Sequence, residues 1–209
     1  NPEAVNYLQP VRDELFRDSI GKAVRLLRKM QGPNTEMYQP LGDIIIKQIY
    51  TGEPTQVYRD LNIGTAVAST RFTANGIVYS KEIFTSAPDQ VIVIKLKASK
   101  AKALSFSVDV FHELLYQKMV SSNNELILKG KARITNDERR IPKPLVYEDA
   151  SHCDGMRFQF RVKAVTKDGT VHHTDTSLVI SNASEAILFV SAATSFNGID
   201  KCPDSNGKD

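Results

Sequence analysis

The sequence has no tryptophan, only two cysteines and no clear excess of either charge. There are 27 Lys and Arg residues against 24 Asp and Glu, so the formal net charge is only +3 and no concentrated basic surface for nucleic acid is predicted. No run of about 18 apolar residues occurs, which argues against a membrane-spanning helix. Cys153 and Cys202 fit no zinc-binding spacing; a disulfide between them is possible but not required.

What is present describes a folded protein. The chain has 209 residues, 41% of them hydrophobic, which suits one large domain or two small ones with a core that needs no metal. The first residue is Asn rather than Met. We therefore expect this chain to be a fragment of a longer protein, with any signal peptide outside it.

The first 30 or so residues have helical periodicity. Val5, Leu8 and Leu15 recur near a 3.6-residue period, and the pattern returns at Val24 and Leu27. Asn1-Pro2 is a helix start signal, and Pro10 is expected to kink or divide the first helix. Two short helices are predicted, in a segment 1–35 that packs on a following sheet.

From Leu41 to about Phe196 the apolar period becomes two, which is typical of β-strands. Many short strands without intervening helices predict a mainly β fold, a large antiparallel super-sandwich preceded by two short N-terminal helices. Asn75-Gly76 and Asp168-Gly169 each predict a tight hairpin turn. The predicted strands are 42–47, 65–73, 77–85, 90–97, 104–110, 125–131, 156–165, 170–178 and 186–193.

The same pattern divides the chain into a helical segment 1–35, a β-sandwich domain 36–196 and a linker-like tail 197–209. The aperiodic stretch 133–150 is predicted to be a long exposed loop of the kind that is often functional.

The residues offer little chemistry. His172 and His173 are adjacent on a strand, so they point to opposite faces and are poorly placed to share a metal ion. The triplet His152-Cys153-Asp154 could be a metal or nucleophile cluster, but a polar loop is the more economical interpretation. No nucleophile elbow, phosphate loop or dinucleotide motif occurs, and no carboxyl pair stands out. No catalytic residue, metal or cofactor is predicted.

Five colinear segments carry a resemblance to a known family. Tyr38-Gln39-Pro40-Leu41-Gly42-Asp43 resembles a signature in the N-terminal β domain of family-95 glycoside hydrolases, which are inverting α-L-fucosidases and α-L-galactosidase-like enzymes. The other four segments are similar to further strands of that domain, so the resemblance covers nearly the whole chain. They are 58–66, 84–93, 103–107 and 192–196.

The resemblance implies that catalysis belongs to a different domain from this one. In such enzymes the catalytic residues lie in an α/α toroid that follows the β domain, and none of them is present in this sequence. The resemblance therefore implies that this fragment is inactive alone. It also implies that the partner of the fragment is a toroid of the same chain that is missing here, and that the full-length protein binds fucosylated or galactosylated glycans. A periplasmic or extracellular location is implied in the same way.

Within this chain the candidate site residues are structural. Tyr38, Gln39, Pro40, Leu41, Gly42 and Asp43 are expected to brace a strand end or the domain boundary, with Asp43 accepting backbone hydrogen bonds where its strand begins. The loop residues Arg139, Arg140, Tyr147 and His152 are expected to be able to rim the sugar pocket.

Three functions remain open on the sequence alone, the third and weakest being a structural, adhesion-type sandwich with no sugar specificity. The first is a non-catalytic domain that braces the toroid of an α-L-fucosidase-like hydrolase. The alternative is a free-standing carbohydrate-binding β-sandwich, which the absence of Trp disfavours because exposed indole rings are the usual platform for sugar faces.

Overall fold

The computed structural model describes residues 1–32, 38–113, 115–121, 123–134, 146–148, 153–198 and 201–203. The chain forms two compact units, Asn1–Tyr38 and Gln39–Asp209.

The first unit contains two helices, α1 (Ala4–Phe16) and α2 (Ile20–Arg28). The helix start signal at Asn1-Pro2 is followed by α1 at Ala4, and Asn1 Oδ1 accepts the backbone N–H of Glu3 at 3.1 Å. The same side chain also contacts the segment after α2: its Nδ2 donates to the carbonyl oxygens of Lys29 at 2.8 Å and Gln31 at 3.0 Å. Pro10 lies inside α1 without ending it.

The described part of the second unit contains twelve strands. They are β1 (Asp43–Ile49), β2 (Thr55–Asn62), β3 (Val67–Ala74), β4 (Ile77–Ser86), β5 (Val91–Ala98), β6 (Leu104–Phe111), β7 (Tyr116–Ser121), β8 (Glu125–Lys131), β9 (Arg157–Thr166), β10 (Thr170–His173), β11 (Leu178–Ala183) and β12 (Glu185–Thr194).

These strands form two antiparallel sheets. The smaller sheet has the order β1-β6-β11-β10, and the larger has the order β2-β3-β4-β5-β12-β9-β8-β7. The mainly β fold with two N-terminal helices is therefore confirmed. Because one sheet has four strands and the other eight, the smaller sheet cannot cover the whole inner face of the larger one.

Alternate residues of the central strands build one shared core. In β6 the side chains of Leu104, Phe106, Val108 and Val110 are buried, and the intervening residues are not. They belong to the same cluster as Leu128, Phe160 and Leu188 of the larger sheet. Each such side chain contributes roughly 1.5–3 kcal/mol of burial free energy, so this period-two set is what holds the sheets together.

Three strands were not predicted from the apolar period, although the family resemblance of 58–66 pointed to a strand that overlaps β2. β2 is exposed at every position, so it lacks the alternation that marks a half-buried strand. β7 is likewise an edge strand. The predicted strand 170–178 is in fact the whole of β10, a turn and the first residue of β11; Thr174 N donates to the Ser177 carbonyl across that turn at 2.9 Å.

The two predicted hairpin turns have different outcomes. Asn75-Gly76 joins β3 to β4 with φ angles of 47° and 73°, so the hairpin is confirmed. The hairpin at Asp168-Gly169 is wrong, because β9 lies in the larger sheet and β10 in the smaller one. The turn carries the chain between sheets instead, held by the Asp168 carboxylate, which accepts the backbone N–H and hydroxyl of Ser184.

Cys153 and Cys202 form a disulfide across 49 residues of sequence. The bond ties the segment that precedes β9 to the segment that follows β12. Among the described residues, neither helix has the length and apolar character needed to cross a membrane.

Candidate functional site

A cavity of the described structure opens between the two sheets, at the end where β1 begins. Its volume is about 390 Å³. We call it the inter-sheet mouth. It is lined by Leu41, Gly42, Ile44, Thr85, Ser86, Ala87, Gln90, Val91, Ile92, Phe160, Val190 and Ala192.

The walls of the inter-sheet mouth are continuations of the core. Ile92 is in phase with Ile94 and Leu96 of β5, both of which are buried, yet Ile92 is 39% exposed. Ala192 continues the buried series Leu188 and Val190 in the same way and is exposed. The mouth is therefore a place where the apolar interior of the sandwich reaches solvent.

Gly42 sets the floor of the mouth. Its φ angle is +140°, in a region that side chains rarely adopt. A Cβ at this position would lie 2.8 Å from Cε1 of Phe160 and 2.9 Å from the Phe111 carbonyl oxygen. Only glycine lets the start of β1 approach the opposite sheet this closely.

Two polar contacts hold the segment before Gly42. The Gln39 side chain forms a reciprocal pair with the backbone of Arg133: Nε2 donates to the carbonyl at 3.0 Å, and Oε1 accepts from the amide N at 3.2 Å. The Pro40 carbonyl accepts a hydrogen bond from Nε2 of His112 at 2.9 Å. Because both contacts are part-buried, they fix the direction in which Leu41 and Gly42 leave for β1.

His112 is the residue of this site that the sequence analysis undervalued. It is 3% exposed, and its ring stacks on Phe158 with centroids 4.7 Å apart and planes inclined by 29°. Its position was recoverable, because His112 continues the even-numbered inward series of β6 by one step. A polar residue in phase with a buried series indicates a satisfied hydrogen-bonding role.

Polar side chains on the rim of the mouth form hydrogen bonds within the turn that joins β4 to β5. Ser86 Oγ donates to Asp89 Oδ2 at 2.5 Å, and Gln90 Nε2 donates to the Ala87 carbonyl at 2.6 Å. The lining residues include no Asp, Glu, His or Cys. The inter-sheet mouth thus lacks the acid and base that glycosidic bond cleavage requires.

The remaining predicted site residues do not gather here. Tyr38 belongs to the helical unit and is 94% exposed. Asp43 is exposed and its carboxylate bonds no described residue, so the expected hydrogen bonds at the strand start are not observed. Tyr147 accepts the Leu115 amide N–H on its hydroxyl oxygen at 3.2 Å. Arg139, Arg140 and His152 lie outside the described residues.

A buried lysine near the same end of the sandwich was also missed. Lys131 has a side chain only 9% exposed, and its Nζ lies 2.9 Å from Asp154 Oδ2 and 3.3 Å from Glu148 Oε1. Lys131 directly follows Gly130 at the end of β8, where sequence alone predicts a solvated charge. The cluster ties the segments on either side of residues 149–152 to the larger sheet, which is a structural role.

The other candidate clusters carry no chemistry. Cys153 is disulfide-bonded and so cannot be a nucleophile. His172 and His173 are consecutive in β10. In the part of the chain that the structure describes, no group of three or more His, Cys, Asp or Glu side chains could hold a metal ion.

Comparison with known proteins agrees with the motif resemblance. The family model described as "Glycosyl hydrolase family 65, N-terminal domain" matches residues 1–199. That family carries the number 65 and not 95, which the motifs indicated, but both are families of glycoside hydrolases and the match is to an N-terminal domain. The resemblance is therefore confirmed at that level.

Individual proteins are similar as well. An Arabidopsis thaliana protein named "Alpha-L-fucosidase 2" is 27% identical over 208 residues, a match that covers 94% of this chain and 24% of the relative. A solved structure titled "Putative kojibiose phosphorylase from human microbiome" is 12% identical with a TM-score of 0.46, covering 75% of this chain and 22% of that one. The chain thus spans about a quarter of the curated relative that it matches.

Proposed function

Because this chain belongs to the glycosyl hydrolase family 65 N-terminal domain family, we propose that it is the non-catalytic N-terminal domain of an α-L-fucosidase-like glycoside hydrolase. In this proposal the chain braces a catalytic domain of the same polypeptide, an α/α toroid. The domain shapes the entrance to the sugar pocket, and the full-length protein takes fucosylated or galactosylated glycans.

One observation carries this proposal. Three of the five motif segments that resemble fucosidases converge on the inter-sheet mouth, where they supply Leu41 and Gly42, the turn from Thr85 to Gln90, and Ala192. They meet at a surface that has apolar walls and no catalytic carboxylate. A site of that kind suits contact with another domain better than bond cleavage.

The cellular location follows the same proposal. Disulfides persist in oxidising compartments, and Cys153 and Cys202 are paired. This pairing supports a periplasmic or extracellular protein. Fractionation of the native host would test the point, because recovery of the protein in a reducing compartment with free thiols would contradict it.

A turnover assay tests the proposed function. The 209-residue chain and the full polypeptide encoded by its gene are each incubated with 4-nitrophenyl α-L-fucopyranoside and the matching α-L-galactopyranoside. We expect release of 4-nitrophenol by the full polypeptide and none by the chain alone. Comparable turnover by the chain alone would contradict a non-catalytic role, and a gene that encodes no further domain would contradict the domain assignment.

A further inference from the structure

The chemistry of the inter-sheet mouth limits what can fill it. A saccharide needs several free hydrogen-bonding groups that converge on its hydroxyls. Here the Ser86 hydroxyl and one Gln90 N–H are already used within their turn, so the Thr85 hydroxyl and the rest of the Gln90 amide are the rim side-chain groups left without a partner among the described residues, and the walls below them are apolar. The mouth suits an apolar group.

The geometry of the walls points the same way. Ile92 and Ala192 are in phase with buried core positions but are open to solvent, as is Leu41 at 37% exposure. An aliphatic or aromatic side chain inserted between them would continue the core by one layer. Removing apolar area from water is favourable, so such an insertion favours association.

The course of the chain indicates where that side chain comes from. Ala192 lies on β12, and the following Ser195 is tied to Arg157 by two hydrogen bonds of 2.8 and 2.9 Å at the same end of the sandwich. Polypeptide that follows β12 therefore starts beside the mouth. Most of the length of the fucosidase relative lies outside the matched region.

We propose that the inter-sheet mouth is the docking socket for an apolar side chain of the catalytic domain. The inference rests on the proposed function and adds the place and chemistry of the contact. The socket is formed by Leu41, Ile92 and Ala192, with Gly42 and Phe160 as its floor.

The test measures association between the chain and the separately produced remainder of the polypeptide encoded by its gene, by calorimetric titration. Ala192→Trp places an indole in the socket. Ala193→Trp is the matched control, because neighbouring residues of a strand point to opposite faces and Ala193 is exposed. Ile92→Ser is a second variant. It removes apolar surface from the wall of the mouth at a side chain that is 39% exposed, and it adds no bulk.

We expect Ala192→Trp and Ile92→Ser to weaken association at least tenfold and Ala193→Trp to change it less than threefold. Circular dichroism confirms that each variant folds. Unchanged affinity in both socket variants, with wild-type association intact, would overturn the socket but leave the proposed function standing. Absence of wild-type association would overturn the proposed function itself.

A titration with L-fucose tests the alternative that the mouth binds a saccharide. We expect no saturable binding by the wild-type chain. Saturable binding that Ala192→Trp abolishes would overturn the inference, because the mouth would then be a saccharide site.

Discussion

Gly42 is the residue at which the inter-sheet mouth tolerates least change. Gly42→Ala adds strain at a φ of +140° and forces its Cβ against Phe160 and the Phe111 carbonyl. We expect a loss of about 2–4 kcal/mol in the free energy of unfolding, measured by urea denaturation. Gly76→Ala is the control, since φ is +73° there but a Cβ meets no atom within 4 Å. Its cost should be strain alone, about 1 kcal/mol; equal costs for the two variants would contradict the close approach.

Asp168 is the residue for which the structure predicts a pH dependence. The Ser184 hydroxyl and backbone N–H hold the pKa of the Asp168 carboxyl below its ordinary 3.8, and Lys167 and Lys102 act in the same direction. A lowered folded-state pKa stabilises the fold above the unfolded pKa, and this contribution is lost as pH falls through the lower folded value. The relevant window is therefore below about pH 4.

Asp168→Asn should flatten this acid dependence. We expect the variant to lose less free energy of unfolding than the wild type between about pH 5 and pH 2.5, measured by urea denaturation at each pH. Asp60→Asn, on the exposed strand β2, is the control and should follow the wild type. An Asp168→Asn profile parallel to the wild-type profile would show that the Ser184 contact does not favour the carboxylate.

At the scale of the element, the disulfide connects two segments that lie outside the paired strands. The bond between Cys153 and Cys202 closes a loop of 49 residues, and chain-entropy arguments give about 3–4 kcal/mol for a loop of that size. We expect Cys153→Ser with Cys202→Ser to lower the free energy of unfolding by that amount. Reductant should lower the wild type to the same level and leave the double variant unchanged. A wild-type urea midpoint insensitive to reductant would contradict this contribution.

The elements also show what the sequence could predict. Strands with one buried face were found because alternation reports burial, as in β6 and β12. β2 was missed because an edge strand with both faces exposed has no alternation to detect. The turn at Asp168-Gly169 has hairpin chemistry but crosses between sheets, since turn residues specify local φ angles and not the sheet that the next strand joins.

The candidate site could likewise be predicted only in part from the sequence. The motif from Tyr38 to Asp43 contributes Leu41 and Gly42 to the mouth, but its contacts, from Gln39 to Arg133 and from Pro40 to His112, join positions 94 and 72 residues apart. No local pattern encodes such pairs. The inter-sheet mouth was likewise beyond the sequence, because its lining residues come from segments that are far apart in the chain.

At the scale of the whole molecule, we propose that this chain supports a catalytic domain and does not itself catalyse a reaction. The described residues provide a wide sheet, an apolar mouth at one end and no metal-binding cluster. A supporting domain acts by stabilising its partner, so its effect is visible only when the two are combined.

Complementation in trans measures that effect directly. The remainder of the polypeptide encoded by the gene is produced without residues 1–209, and its turnover of 4-nitrophenyl α-L-fucopyranoside is followed as the 209-residue chain is added. The account predicts low activity or rapid inactivation of the remainder alone, and a saturable recovery on addition of the chain. A remainder that is as active and as long-lived as the full polypeptide, with no response to the added chain, would contradict the account.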